Sequence, residues 1–290
     1  MNLLNIRKRV RSLIREPREN FLLDSEIADW ANDASFEATK DINYPWKNQI
    51  IYGVADQSDY TLATDFHSVH PLLNFMFNNQ KLDKYGVKWM EKEYPNYLTA
   101  SSVTQPEQFY FKSIDEVSIF PPPKLVASGT DTTGGGAAVL NDSAASFSSD
   151  YVGHAIQNTT DSSYGLITAV ASTTQLTAAL TGGTNGYWDL ADAYTINLSG
   201  NLPYVYKEDD MAEDIDESKV AAKFPYLIIY RILPMAEVKC FRAASSSASK
   251  EINRTERWEQ LYQVELAKAK NTIHKYVRGH HSRTIPPGEW

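Results

Sequence analysis

Leu3, Ile6, Val10 and Leu13 recur at spacings of three and four, and Ile14 widens the stripe, so residues 2–16 are expected to form an amphipathic helix. Arg7, Lys8, Arg11, Arg15 and Arg18 give it a basic outer face, and Pro17 is expected to end it. Asp24 or Ser25 offers an N-cap for a second helix, which carries Ile27, Trp30, Ala31, Ala34 and Ala38 on one side and runs to about Asp41.

After Pro45 the alternation changes to period two. Strands are expected at 48–54, 59–63, 72–78, 107–112 and 116–120, with a short helix from Tyr85 to Glu93 among them. The last of these strands runs into Pro121, Pro122 and Pro123, which cannot donate to a ladder. Between about 128 and 199 the composition shifts to Gly, Ser, Thr, Ala and Asp, with no Lys or Arg and one His, His154. Short apolar runs near 151–157, 164–170, 174–180 and 193–198 alternate with the turn clusters 158–163 and 182–186, which reads as a small inserted all-β module.

The strand pattern resumes at Leu202–Tyr206, and the acids Glu208, Asp209, Asp210, Glu213, Asp214, Asp216 and Glu217 follow. Tyr226–Phe241 is almost continuously apolar, as a helix buried on most sides requires. Pro225 suits a first turn or a kink, and Pro234 is expected to kink or divide this helix. Beyond a Ser-rich break at 245–249, Trp258, Leu261, Tyr262, Leu266, Ala269, Ile273 and Val277 form the stripe of a last helix, with Gly279 as its C-cap. His280–Trp290 is then an extended tail, non-helical around Pro286 and Pro287. The expected class is α+β: a helical bundle of N- and C-terminal helices with a central antiparallel β region and an inserted all-β module. One domain is expected over 1–127 and 200–279, with the insert at 128–199 and the tail at 280–290.

At 290 residues, with 42% hydrophobic side chains, the chain can bury a substantial core. Its apolar runs fall far short of the roughly 20 residues a membrane-crossing helix needs, and no apolar stretch with a cleavage site follows the basic N-terminus, so neither membrane insertion nor signal-peptide secretion is expected. A single cysteine, Cys240, excludes an intrachain disulfide and is expected to be a buried structural residue. The net charge of −8 argues against sequence-specific nucleic-acid binding. It suits a conduit that DNA crosses without sticking, and the same balance is ordinary for soluble proteins.

The order of elements, together with Phe21-Leu-Leu-Asp24-Ser-Glu-Ile27-Ala-Asp-Trp30-Ala-Asn32-Asp-Ala34, Asp59-Tyr60-Thr-Leu62-Ala-Thr-Asp65-Phe66 and Val117-Ser-Ile119-Phe-Pro121-Pro122-Pro123, resembles the head-to-tail adaptor (connector, neck) proteins of tailed bacteriophages. The similarity covers most of the chain outside 128–199. Val152-Gly153, Asn158-Thr159-Thr160-Asp161, Gly182-Gly183-Thr184 and Asp192-Ala-Tyr194-Thr195-Ile196 look like a β-module that recurs in phage virion proteins. The resemblance implies a non-enzymatic virion protein at the head–tail junction, assembled in the host cytoplasm. It further implies a ring, commonly dodecameric, that docks under the portal protein, receives a tail or nozzle protein and surrounds the DNA. The insert departs from the simpler adaptors.

No catalytic constellation, cofactor motif or metal set emerges. The histidines His67, His70, His154, His274, His280 and His281 include no HExxH, and His67 with His70 lacks a third ligand. Gly134–Gly136 is followed by neither Lys-Ser/Thr nor a helix, so it reads as a linker rather than a phosphate cradle. The acidic run lacks the EF-hand pattern and reads as a solvated or lumen-facing segment. The strongest docking candidate is the tail: Arg283, Ile285, Pro286, Pro287 and Trp290 combine a pre-extended proline pair with a Trp of the kind enriched at interface hot spots, here expected to engage the portal. The competing reading is a receptor- or glycan-binding virion protein whose insert recognises ligand through Tyr151, Tyr164, Tyr187 and Trp188.

Overall fold

In the computed structural model the first apolar stripe becomes helix α1 (Leu3–Ile14), with Leu3, Ile6 and Val10 fully buried. The Asn2 side chain caps it by accepting from the Asn5 N–H at 3.1 Å. Arg15, in the left-handed region at φ 62°, closes it ahead of Pro17. Helix α2 (Asp24–Ile42) is capped by Leu23 rather than by Asp24 or Ser25. The Glu26 carboxylate takes the Leu23 N–H at 3.0 Å, while Asp24 is occupied by the Arg11 guanidinium at 2.6 Å. The structure describes all residues except 17–21, 104, 135, 245–247 and 282–290, and excludes the side chains of 241–253 and 279–281.

The closing helices are α4 (Lys219–Lys223), α5 (Pro225–Ala244) and α6 (Ala248–His281); α3 (Val87–Glu93) lies in the β region. The chain is thus mixed α+β, with six α-helices and several antiparallel sheets among the described residues. Pro225 opens α5, where its missing N–H costs no hydrogen bond. Pro234 does not divide the helix, which continues to Ala244. An internal proline costs about 3 kcal/mol, a penalty offset here because α5 buries Leu227, Ile228, Ile229, Ile232, Leu233 and Ala236 against α1, α2 and α6. The α6 stripe is buried as expected from Tyr262 to Val277, with Trp258 and Leu261 half-buried, but Gly279 is not a C-cap, since the helix runs through it and takes in His280 and His281. A glycine inside a helix costs only about 1 kcal/mol, too little to stop one anchored by the buried Ile273 and Val277.

The chain divides into two compact units. The first comprises Met1–Lys47, Asp65–Leu72 and the chain from Tyr204 through α6; the second comprises Asn48–Thr64 and Leu73–Pro203. The core of the first unit is helical: small residues of α2 (Ala31, Ala34, Ala38) let α5 approach closely, and Tyr262, Leu266 and Ala269 of α6 join the same cluster. Strand β3 (Phe66–Val69), which alternation does not foresee, pairs there with the end of β17 (Ser199–Tyr206), Tyr204 facing Val69.

In the second unit β2 (Asp59–Thr61), β8 (Glu116–Phe120), β7 (Gln108–Phe111) and β6 (Asp83–Lys84) form one sheet in that order, parallel only between β6 and β7. The expected strand at 72–78 shrinks to β4 (Met76–Phe77), because Asn78 and Asn79 at φ 49° and 59° turn it into a hairpin with β5 (Gln80–Lys81). Strand β1 (Trp46–Tyr52) contributes residues to both units.

The low-charge segment is rich in strands. A five-stranded antiparallel sheet runs in the order β15 (Leu180–Gly182), β12 (Ser163–Leu166), β11 (Ala155–Asn158), β16 (Ala193–Asn197), β9 (Ala127–Thr130). A three-stranded one runs β10 (Val139–Asn141), β14 (Gln175–Thr177), β13 (Ala169–Ser172). Two expected strands are therefore split: 164–170 into β12 and β13, and 174–180 into β14 and β15. Leu140, Phe147, Ile156, Ile167, Leu176, Trp188 and Ile196 share one core. Asp142 is buried in it with its charge met by the Tyr194 hydroxyl at 2.8 Å, and a Cβ at Gly129 would come within 2.2 Å of that carboxylate. Gly129 is therefore required by close approach.

Candidate docking surfaces

The acidic run is solvated along most of its carboxylates, with Asp209, Asp210, Glu213, Asp214 and Glu217 exposed, but its backbone is held to neighbouring helices. The Leu3 and Leu4 N–H groups, which α1 cannot satisfy internally, donate to the carbonyls of Asp216 and Asp214 at 2.9 and 3.1 Å. The Asp216 carboxylate accepts from the Ala212 and Glu213 N–H groups at 2.8 and 2.7 Å, and the Glu213 and Ala212 bonds hold its carboxyl below the usual range. Asn32 of α2 exchanges two bonds with the Met211 backbone, at 2.9 and 3.2 Å. Ser218 caps α4 by accepting from the Ala221 N–H at 3.0 Å, Glu208 adds an acceptor for the Lys219 N–H at 2.9 Å, and burial pushes the Glu208 carboxyl upward. Backbone and carboxylate contacts thus fix the segment against α1, α2 and α4, while the side chains of Asp209, Asp210 and Glu213 remain exposed.

The basic face of α1 is correspondingly smaller than its sequence suggests. Arg11 is buried, holding the Leu22 carbonyl at 2.7 Å as well as Asp24, and Arg7 pairs with Asp214. Lys8, Arg9 and Arg15 stay exposed, and Arg18 lies outside the described residues.

A polar groove runs over α2, α5 and α6. Arg231 Nε meets Glu37 at 2.6 Å, its Nη1 lies 3.7 Å from Glu259, and its guanidinium sits 5.4 Å from the Tyr262 ring centre. The Tyr262 hydroxyl donates to Asp41 at 3.0 Å; burial first, then this bond, pushes its pKa upward. Beside the groove Tyr226, Tyr230 and Trp258 stack in sequence at 5.8 and 6.0 Å.

In the low-charge segment Tyr164 and Tyr187 are exposed, at 42% and 50%, with Tyr164 against Tyr52 at 4.6 Å. Trp188 does not present its ring to solvent as expected. It is 1% exposed, with its indole N–H on the Ala178 carbonyl at 3.2 Å, because it fills the β core. Tyr151 is half-buried.

His70 is buried, its Nδ1 accepting from the Leu72 N–H at 3.3 Å, and His67 packs edge-on to Phe36 at 5.1 Å. No group of three His, Cys, Asp or Glu side chains among the described residues is placed to hold a metal ion. Gly134 and Gly136 adopt φ 70° and 79°, as turn residues do. No helix among the described residues is long and apolar enough to cross a membrane. The tail residues Arg283, Ile285, Pro286, Pro287 and Trp290 lie outside the described residues.

Cys240 is half-buried rather than fully buried, and its thiol donates to Glu16 Oε2 at 3.1 Å. Burial, then the neighbouring carboxylate, push its pKa up to about 12. At neutral pH the thiolate is therefore scarce. Alkylation of the native protein by iodoacetamide should be far slower than in denaturant; equal rates would contradict this environment.

No known protein-family model matches the chain, and no curated protein matches it.

Proposed function

We propose that this chain is a structural head-to-tail adaptor of a tailed bacteriophage, one subunit of a ring that docks beneath the portal, receives the tail or nozzle and leaves a channel for DNA. The observation that carries the reading is the order of elements around the quoted residues. Two front helices, a β region ending at Ile119-Phe-Pro121-Pro122-Pro123, an acidic segment and closing helices follow one another as they do in such adaptors. The finer architecture belongs to the same proposal: N- and C-terminal helices form a bundle, the antiparallel β region is central, and residues 128–199 are an inserted module. The shared core of α1, α2, α5 and α6 supports it.

The function is geometric. A ring of weak identical contacts gains strength once a template holds its members, because each further contact becomes effectively intramolecular. A net charge of −8 lets genomic DNA pass without being held. Imaging of assembled particles with the chain labelled is the decisive experiment: label at the capsid–tail junction is expected, and label elsewhere overturns the reading. In a second measurement, deletion of residues 280–290 should abolish co-assembly with the portal; undiminished binding would remove the tail from the docking surface. The exposed Tyr164 and Tyr187 favour the glycan-binding alternative to the extent that two solvent-facing rings can stack on sugars. Retention of the full-length protein on a glycan array, lost on replacing both rings by alanine, would establish it.

A further inference from the structure

We infer that the outward basic face of α1 on one copy seats on a carboxylate patch formed by α2 and residues 209–213 of the next copy. The inference rests on the proposal that copies stand side by side in a ring. The patch draws on two stretches of chain that the Asn32–Met211 pair fastens together. Around that fastening Asp29, Asp33, Asp209 and Glu213 are exposed with no ion-pair partner among the described residues, and Asp210 has only Lys207 at 3.5 Å. Collected like charges repel one another, so the patch is a standing cost to the isolated subunit that a cationic partner removes.

The complement is on the same unit. Lys8, Arg9 and Arg15 face solvent from α1 and have no ion-pair partner among the described residues, whereas Arg7 and Arg11 are spent internally. Two helix faces of opposite charge on one subunit make a contact between unlike surfaces, and such a contact repeats from copy to copy. Exposed ion pairs are individually weak and screened by salt, so the contact is feeble between free subunits and becomes effective only in numbers.

The test uses two full-length variants. One is Lys8→Glu/Arg9→Glu/Arg15→Glu; the other is Asp29→Lys/Asp33→Lys/Glu213→Lys. Sedimentation equilibrium of the wild type at high concentration and low salt should show weak association that disappears at high salt. Each variant alone should associate about tenfold more weakly or worse, three exposed pairs being lost together. The equimolar mixture should recover association, since each variant restores the surface its partner lacks. Circular dichroism of each variant verifies folding, and neutral Gln and Asn versions replace any that fails. A wild type with no salt-sensitive association, variants that associate as it does, or a mixture no better than its components would overturn the inference. Portal binding is read separately: loss of the adaptor role leaves the copy contact standing, and portal binding by a chain indifferent to these reversals sinks the contact alone.

Discussion

Trp188→Ala is expected to lower stability by about 3–5 kcal/mol, the usual cost of emptying a large aromatic site. The side chain is 1% exposed, its indole N–H is satisfied by Ala178, and its ring meets Tyr194 edge-on at 6.4 Å. Its backbone N–H and carbonyl also pair with Gly136, at 3.0 and 3.1 Å, so the ring anchors the segment that follows the glycine turn. Removing it leaves a cavity that two thin sheets cannot close. Hydrogen exchange should accelerate across β9–β16 while α5 and α6 keep their protection. A wild-type denaturation midpoint, or loss confined to the helices, would show that the ring is not the keystone of that core.

The second large effect is expected in α5. Ile228→Asp should cost at least about 4 kcal/mol and abolish cooperative unfolding of the helical unit, because an unpaired carboxylate would replace a side chain with no solvent exposure. Tyr226→Asp, two positions earlier and 43% exposed, should cost only about 0.5–1.5 kcal/mol, the worth of the stack its ring makes on Tyr230. Helical circular dichroism during thermal unfolding separates the two. Comparable losses at both positions would mean that the exposed side of α5 is also buried.

How much of this was legible beforehand depended on whether local pattern or distant partners decide each element. The stripe from Tyr262 to Val277 was readable because sixteen residues of helical period leave no competing conformation. Gly279 does not stop α6 and Pro234 does not divide α5 for a common reason: the buried side chains around each outweigh its intrinsic cost. Strand β3 was invisible, since its extended state comes from pairing with β17, more than a hundred residues away. The candidate surfaces divide in the same way. The charges of residues 208–217 and of α1 were plain, but Asn32 gripping Met211, and Arg11 turned inward onto Asp24, are tertiary facts with no sequence signal beyond an isolated amide and one more arginine. Trp188 reads as one of the insert's ligand-facing rings, but its burial depends on Ala178 and Tyr194 lying across the core, which local sequence does not reveal.

The shared core of α1, α2, α5 and α6 also has a consequence for synthesis. The first two helices leave the ribosome long before α5 exists, so the nascent chain carries their apolar faces bare while everything from Trp46 to Tyr206 is still being translated. The segment supplying the strands of the second unit can fold during that interval, whereas the helical unit can close only once α5 and α6 have emerged. A stop codon ahead of Pro225 would leave Leu3, Ile6, Val10 and the alanine face of α2 permanently uncovered, a species suited to chaperone capture or degradation rather than to assembly.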